Sequence, residues 1–498
     1  MHVVIHAQIV LKAHVTTLLA KVLYLISFFG LLCAFTYAQE NPASEVANQA
    51  VFNQIEYHIN LKETDSIYAM AGVAYKKATS LSSFRVILAQ IYPLGIIKGA
   101  ARINFEKRIG TYKLDFNGQS LQLLLGLDSL NKIATLLFQP LKESVPGPAD
   151  KKEPVAASNN RESGQDQFVD SLAMAYTRKS HKSALAIGIM TGNKTQRYFY
   201  GNTGNQGSQL PNDSTLFEIG SISKTFTATL LAYLAEKKQV SLDDMITKYL
   251  PDSLKSNPHL QRISLQQLGN HTSGLPLLPD NFEQVTSLKL TDPYRSYKLA
   301  NLYSYLKNYH ASVVPDSIYS YSNLGFGLLG TIISQVYSKS YNDMVKEIIC
   351  KPIGLKNTTT TPDSLKQKVA KSYNTKGTEL PIWNADCLAG AGALKSTVSD
   401  LLQYAKAETK LPETTLENAM AQTKQFTFQE SVDSDVGLAW LTLMVNGVLV
   451  HWHNGGKAGS SSFLAFSPDK KTAVVVLSNT AESVDEMAIA IVNKLLGN

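Results

Sequence analysis

The stretch "FEIGSISK", residues 217–224, lies where a strand-like segment gives way to a helical one. The residues after it, "TFTATLLAYLAEKK", are typical of an amphipathic helix, so Ser221 is predicted in the first helical turn. A hydroxyl there faces unpaired backbone N–H groups and the positive end of the helix dipole. Lys224 projects from the same side, three residues on. The pattern predicts a nucleophilic Ser221 that loses its proton to a partly desolvated Lys224; a helix-capping Ser221 beside a solvated Lys224 is the alternative.

The Ser-x-x-Lys spacing alone is not specific. It recurs in a strand–loop region, a tyrosine-rich helix and a turn, at Ser129–Lys132, Ser304–Lys307 and Ser467–Lys470. Two further segments separate residues 221–224 from these copies. "YSN", residues 321–323, runs directly into a glycine-spaced apolar helix, and "HNGG", residues 453–456, follows a strand. Three motifs in this order, each at the boundary of an element, favour convergence of their side chains at one site.

The three motifs together resemble the active-site signatures of class C β-lactamases and related penicillin-binding serine hydrolases. "LDDMITKYLP" and "ISLQQLGNHTSGLP" extend the resemblance, which covers roughly residues 170 to 498. It implies an α+β fold, with an antiparallel sheet flanked by helices and a mostly helical subdomain. It also implies hydrolysis of β-lactams, D-amino-acid peptides or small esters through an acyl-Ser221 intermediate. No cofactor and no metal are implied.

The resemblance also implies individual roles. Ser221 is the acylated nucleophile, Lys224 its proton partner, and Tyr321 the general base in acylation and the acid for the leaving group. The backbone N–H groups of Ser221 and Gly456 form the oxyanion hole. The implied substrate-binding residues are Asn323, His453, Gly455, Gly456 and Asn479, with Asn323 on the substrate amide and Asn479 on a substrate carboxylate.

Two positions depart from the class C pattern. His453 replaces a lysine, and Leu278 replaces a glutamine that holds the amide side chain of β-lactams. Histidine is cationic only near and below a pKa of about 6.5, so Tyr321 is expected to ionise less readily and Lys224 to be the base. If His453 acts as a cation, activity on carboxylate substrates should fall between about pH 6 and 8. A zinc site at His451 and His453 is not expected, because no carboxylate or cysteine nearby completes it.

The departures leave a second function open. In this alternative the cleft belongs to a penicillin-binding or cell-wall-fragment-binding sensor, in which the acyl-enzyme is long-lived or never forms. The small domain that precedes the hydrolase would then be the output surface.

The rest of the chain organises around this hydrolase domain, residues 167–498. Residues 45–141 combine helical segments with later period-two strands, which predicts a small α+β domain loosely resembling a cystatin-like domain of unknown function. Residues 142–166 are rich in proline, serine and charge and are predicted to be a linker. Within the hydrolase domain, hairpins near both ends predict an antiparallel sheet closed by the two termini.

Composition bounds the remaining possibilities. A chain of 498 residues with 44% hydrophobic and 17% charged residues predicts two globular domains. The positive charges, which give a net charge of +7, form no basic block, and this argues against a nucleic-acid partner.

Residues 1–38 predict a signal peptide and export to the periplasm or the extracellular space, with membrane attachment only if the leader stays uncleaved. Lipidation at Cys33 is opposed by the bulky Leu32. Cys350 and Cys387 either pair or are buried separately.

Overall fold

The computed structural model describes residues 42–106, 108–116, 120–140, 155–178, 183–205, 209–286, 292–311, 313–362, 368–375, 377–431 and 434–497. The chain divides into two compact units at Val145 and Pro146. The predicted signal peptide and Cys33 lie outside the described residues. Among the described residues, no helix has both the length and the apolar character that crossing a bilayer requires.

The first unit consists of helices followed by a four-stranded antiparallel meander, as its periodicity predicts. Its helices are α1 (Pro42–Asn60), α2 (Thr64–Ala69), α3 (Val73–Ala78) and α4 (Leu81–Ile91), and its strands are β1 (Gly99–Glu106), β2 (Ile109–Asp115), β3 (Ser120–Leu127) and β4 (Ile133–Pro140). The Phe52 ring of α1 stacks on the Tyr112 ring of β2 at a centroid distance of 3.7 Å. The unit thus has helices first and an antiparallel sheet after them, which is an α+β arrangement.

The second unit interleaves strands and helices. Its helices are α5 (Gly164–Thr177), α6 (Ser223–Glu236), α7 (Asp252–Lys255), α8 (Leu265–Gly269), α9 (Phe282–Thr286), α10 (Pro293–Ser296), α11 (Leu299–Lys307), α12 (Asn323–Tyr337), α13 (Tyr341–Met344), α14 (Lys351–Ile353), α15 (Ala389–Gly392), α16 (Val398–Glu408), α17 (Thr415–Thr423) and α18 (Asp485–Leu496). Its strands are β5 (Ala184–Thr191), β6 (Lys194–Gly201), β7 (Phe217–Glu218), β8 (Ser372–Tyr373), β9 (Glu379–Leu380), β10 (Lys395–Ser396), β11 (Phe428–Ser431), β12 (Ser434–Val436), β13 (Leu441–Val445), β14 (Val448–Lys457), β15 (Ser460–Ser467) and β16 (Thr472–Ser478). Short 3₁₀ turns occur at Gly220–Ile222, Ile246–Lys248 and Leu260–Arg262, and a π-helical turn at Val345–Cys350.

The main sheet has eight antiparallel strands in the order β11-β12-β13-β14-β15-β16-β5-β6. The N-terminal hairpin β5–β6 pairs with β16 from the C-terminal end, so the two ends of the unit close the sheet as predicted. Alternate residues of β16 enter two different cores. Val475 packs with the helical side that includes α6 and α16, whereas Val476 packs with α5 and α18. The mostly helical insertion between β6 and β11 contributes most of the first core.

Helix α6 differs from the amphipathic helix that its sequence predicts. Every residue from Ser223 to Ala232 is buried, so the helix is enclosed on all sides. Its threonine hydroxyls make this possible by donating to backbone carbonyls: Thr225 to Ile222 at 2.8 Å and Thr229 to Thr225 at 2.9 Å. The helix that follows "FEIGSIS" is therefore the central helix of the unit.

The second half of the predicted linker belongs to the hydrolase unit. Ala157 forms a β-bridge with Tyr200, and the Ser158 hydroxyl accepts a hydrogen bond from the Phe199 backbone at 3.0 Å. The first half, residues 142–154, lies outside the described residues. Cys350 and Cys387 are free, buried thiols, and burial raises the pKa of each to about 12. Separate burial, not pairing, is the arrangement that the structure gives them.

Candidate active site

Ser221 lies in the 3₁₀ turn that connects β7 to α6. The turn needs a glycine before the serine, because Gly220 has φ +48 and a Cβ there would lie 2.9 Å from the Gly456 nitrogen. The Ser221 side chain remains partly accessible, whereas Ser223 is fully buried and its hydroxyl accepts a hydrogen bond from Leu394 N at 3.1 Å. Of the two serines, only Ser221 is thus accessible to a substrate.

Lys224 is fully buried and contacts Ser221. Its Nζ lies 3.1 Å from Ser221 Oγ, 2.7 Å from Asn323 Oδ1 and 2.7 Å from the Ala391 carbonyl oxygen. Burial lowers the pKa of Lys224 well below its ordinary value. Asn323 Oδ1 and the Ala391 carbonyl can only accept, so they take two N–H bonds of a neutral amine. The remaining lone pair of that amine is then directed to the Ser221 hydroxyl, which is the geometry of a general base.

Tyr321 lies above this pair, in the loop before α12. Lys224 Nζ is 4.7 Å from the centroid of the Tyr321 ring, and Ser322 caps α12 by accepting a hydrogen bond from Gly325 N at 2.8 Å. The low-polarity surroundings raise the pKa of Tyr321, and a hydrogen bond with Ser221 only partly offsets this. A neutral phenol beside a lysine with a lowered pKa agrees with the expectation that Lys224, not Tyr321, is the base.

His453 lies on a part of β14 that, among the described strands, is paired on one side only. The pairing of β13 with β14 ends at Leu441 and Trp452, so residues 453–457 pair only with β15. The His453 ring lies 6.5 Å from the Tyr321 ring, and its Nδ1–H donates to the Asn454 carbonyl at 2.6 Å. Burial and the nearby Lys224 lower the pKa of His453 to about 3. A buried imidazole favours the neutral form, so the surroundings of His453 oppose the cationic state considered from the sequence, and the pH dependence of activity stays a prediction.

Comparison with known proteins agrees with this geometry. The sequence model of the β-lactamase family matches residues 169–497. The chain belongs to the β-lactamase family. A β-lactamase of Pseudomonas fluorescens is 27% identical over 349 residues, covering 63% of this chain and 93% of that protein. The D-alanyl-D-alanine-carboxypeptidase/endopeptidase AmpH of Escherichia coli K12 is 24% identical over 317 residues, covering 60% and 80%. A solved class C β-lactamase matches with a TM-score of 0.60 and 25% identity, over 68% of this chain and 98% of that one.

This β-lactamase-family chain is a serine hydrolase of the class C type, and its fold is the one that the three motifs imply. Within it, the two glycines of the "HNGG" motif have different surroundings. A Cβ on Gly455 would lie 2.2 Å from the Ile219 carbonyl oxygen, so Gly455 lets β14 approach the nucleophile turn. Among the described residues, no atom beyond Gly456 and its two chain neighbours lies within 4 Å of a Cβ built on Gly456, so the space beside it is open to those residues.

Two other predicted positions lie in the framework of the hydrolase. Asn479 Oδ1 accepts a hydrogen bond from Ala184 N at 2.6 Å, and Asn479 Nδ2 donates to the Lys371 carbonyl at 2.8 Å. Both ends of its amide are held by backbone groups, so the structure assigns Asn479 a bracing role; its contact with a substrate carboxylate stays a prediction. Leu278 is half-buried and packs against the helical core.

His271 of "NHTSG" is a neighbour of the site that none of the three sequence motifs includes. Its ring lies 4.3 Å from the Tyr321 ring, and its Nδ1 accepts a hydrogen bond from Ser322 N at 3.0 Å. Nδ1 is thus the acceptor, which leaves the proton of the neutral ring on Nε2, a buried atom without a hydrogen-bond partner. Burial lowers the pKa of His271 well below its usual range. His271 therefore stabilises the loop that carries Tyr321.

Proposed function

We propose that this hydrolase cleaves small esters and amides through an acyl-enzyme on Ser221, with Lys224 as the base of acylation. One observation supports the proposal most strongly. Two acceptors, Asn323 Oδ1 and the Ala391 carbonyl, hold the buried Lys224 amine, and its lone pair faces the accessible Ser221 hydroxyl at 3.1 Å. A serine hydroxyl is a weak nucleophile unless a base removes its proton as it attacks. Lys224 supplies that base without an added cofactor.

In acylation, Ser221 Oγ attacks the substrate carbonyl carbon while its proton passes to Lys224 Nζ. The carbonyl oxygen becomes an oxyanion, which the backbone N–H groups of Ser221 and Gly456 stabilise. Each such donor is worth about 3 kcal/mol in the transition state, because the negative charge develops only there. The open space beside Gly456 admits the substrate at this position.

Collapse of the tetrahedral intermediate breaks the bond to the leaving group. Tyr321 is a neutral phenol until this step. It donates its proton to the departing nitrogen or oxygen and then takes a proton from the Lys224 ammonium. Asn323 keeps its amide N–H groups for the substrate, since its Oδ1 is occupied by Lys224. Water then attacks the acyl-Ser221 ester and gives a proton to Lys224. The acid is released as Lys224 passes that proton to Ser221 Oγ, which restores the serine.

The substrates we propose are those of an acyl-transfer site with a neutral His453: small esters first, then β-lactams and D-alanyl peptides. The names of the relatives support the β-lactam and D-alanyl classes. The absence of charge on His453 supports a preference for uncharged esters, because it cannot pair with a substrate carboxylate. We also propose export to the periplasm or the extracellular space, on the basis of the leader sequence.

The test replaces each of the two neighbouring serines. Ser221→Ala should abolish labelling by a fluorescent penicillin and the burst of p-nitrophenol from p-nitrophenyl butyrate. Ser223→Ala is the matched control, because it removes a hydroxyl two residues away that bonds only to the framework. It should lower stability by about 1 kcal/mol and leave labelling in place. Labelling that survives in Ser221→Ala, or is lost equally in both variants, would overturn the assignment.

The same assay separates an enzyme from a sensor. Repeated turnover of nitrocefin, p-nitrophenyl butyrate or a D-Ala-D-Ala peptide identifies the chemistry and the preferred substrate. A stable mass increase on the protein after penicillin, without turnover of any of the three, would instead identify the penicillin-binding sensor. In secreting cells, signal-peptide cleavage after Ala38 is checked by N-terminal sequencing of the mature protein.

A further inference from the structure

A nearly buried ion pair lies beside the two proposed oxyanion donors. Glu218 precedes Ser221 by three residues, and Lys457 immediately follows Gly456. Lys457 Nζ and Glu218 Oε1 are 2.8 Å apart, and their side chains are 11% and 3% exposed. The two charges therefore connect the segment that carries one donor to the segment that carries the other.

The carboxylate of Glu218 accepts hydrogen bonds from three donors. Besides Lys457, it accepts hydrogen bonds from Trp383 N at 3.1 Å and from the Ser372 hydroxyl at 3.0 Å. Burial opposes ionisation of Glu218, but the charges of Lys457 and Lys395 outweigh it, and the pKa of the carboxyl is lowered. A buried carboxylate with these partners is a fixed anchor, not a mobile surface group.

Backbone contacts bring the two segments together next to this pair. Ser462 Oγ donates to the Ile219 carbonyl at 2.9 Å. The Gly220 Cα faces the peptide between Gly455 and Gly456, with no room for a side chain. These contacts define how close β14 comes to the nucleophile turn. The β14–β15 ladder pairs Lys457 with Ser460, and the ion pair adds a direct contact from Lys457 to the segment that precedes the nucleophile turn.

We infer that the Glu218–Lys457 ion pair is a positioning element that fixes the spacing of the Ser221 and Gly456 N–H groups around the oxyanion. The inference rests on the proposed function, since these two N–H groups stabilise an oxyanion only if Ser221 attacks a substrate carbonyl. Neither side chain touches the reacting atoms. Their effect is to prevent the end of β14 from moving away from the turn when negative charge develops between them.

Lys395 supports the pair from the neighbouring strand. It lies directly opposite Glu218 in the β7–β10 ladder, and its Nζ donates to the Thr360 and Trp383 carbonyls and to Asn384 Oδ1, at 3.1, 2.8 and 3.2 Å. Burial and the charge of Lys457 lower the pKa of Lys395 to about 7. Glu218 consequently has Lys457 as its direct partner and Lys395 as a second, indirect one.

The experiment compares Lys457→Met with Lys424→Met. Lys424 is the matched control because it also forms a nearly buried ion pair, with Glu408, and the two side chains are 13% and 0% exposed. Turnover of p-nitrophenyl butyrate is compared with turnover of its thionoester, in which the carbonyl oxygen is replaced by sulfur. Sulfur is a weak hydrogen-bond acceptor and is larger than oxygen, so the ester/thionoester ratio of kcat/KM reports on the oxyanion hole.

Losing a whole oxyanion donor lowers kcat about 100- to 1000-fold, so a displaced donor should cost about 10- to 100-fold. We expect Lys457→Met to lower kcat for the ester by that amount, to change KM less than about twofold, and to reduce the ester/thionoester ratio. Lys457→Arg should restore both quantities. Lys424→Met should lose comparable stability and keep the ratio of the unaltered protein.

If Lys457→Met does not fold, the double variant Glu218→Gln/Lys457→Met removes both buried charges and serves in its place. An unchanged ester/thionoester ratio in the variant that folds, or an equal change in Lys424→Met, overturns the inference. This failure is distinct from failure of the proposed function. If only the ion-pair inference fails, Ser221→Ala is inactive and the ion-pair variants behave like the unaltered protein. If the proposed function fails, Ser221→Ala is as active as the unaltered protein.

Discussion

Ser221–Lys224 and Ser467–Lys470 have the same spacing in the same domain, yet their surroundings differ in every respect that matters for catalysis. Ser467 ends β15 in a turn, where its hydroxyl accepts a hydrogen bond from Lys470 N at 3.4 Å and the Lys470 side chain is exposed. Lys224 is fully buried and directed to its serine. Water surrounds the Lys470 amine, whereas protein surrounds the Lys224 amine.

The difference teaches that the reactivity of this motif comes from elements distant in sequence. Asn323 of α12 and Ala391 of α15 hold the Lys224 amine, and Tyr321 covers it. The turn at Ser467 has no counterpart of these contacts, because its lysine points into solvent. The spacing of two residues brings a hydroxyl and an amine close, but burial makes the amine a base.

The largest expected effect separates the two lysines. Lys224→Met removes the proposed base and should lower kcat for p-nitrophenyl butyrate by about 1000-fold, within the range for removal of a general base. Lys470→Met makes the same chemical change in the turn and should leave kcat unchanged. Steady-state kinetics on both variants, together with labelling by a fluorescent penicillin, make the comparison. Equal activity of the two variants would mean that burial of Lys224 has no catalytic consequence.

This contrast also explains how much of the site could be predicted from the sequence. Ser221, Lys224, Tyr321 and Asn323 come together as expected, because each follows an element boundary that local pattern identifies. The closure of the sheet by the terminal hairpins was predictable for the same reason.

The charge state of His453 was not predictable, because it depends on burial beside Lys224. The two residues are 229 positions apart in the sequence. The enclosure of α6 was missed for a related reason. Threonine is counted as polar in a periodicity, yet its hydroxyl is satisfied by the preceding turn of the same helix, as Thr229 shows. Contacts between distant segments decide both properties.

A smaller effect tests the loop that positions Tyr321. His271 has φ +64, a conformation that asparagine tolerates and phenylalanine resists. His271→Asn also offers an acceptor oxygen to Ser322 N, whereas His271→Phe leaves that buried N–H unpaired. We expect His271→Phe to lose about 1–3 kcal/mol of unfolding free energy in urea and about 10-fold in kcat, and His271→Asn to recover most of both. Equal losses in the two variants would show that the hydrogen bond to Ser322 is unimportant.

The smallest expected effect is a constant ratio, and it tests the charge of His453. The substrates are p-nitrophenyl butyrate, which is neutral, and the p-nitrophenyl half-ester of glutaric acid, whose carboxylate is ionised above about pH 5.5. A pKa lowered to about 3 means that the fraction of protonated His453 is negligible above pH 5.5 and does not change up to pH 8.

The ratio of the kcat/KM values of the two esters should therefore stay flat across this window. Had His453 kept a pKa near 6.5, the glutarate half-ester would lose its advantage across this window, because protonated His453 attracts its carboxylate and neutral His453 does not. His453→Gln, which cannot titrate, is the control. A ratio that falls with pH in the unaltered protein and is flat in His453→Gln would show that the buried imidazole carries a charge. Exclusion of water from the site would then not account for the difference in reactivity between Lys224 and Lys470.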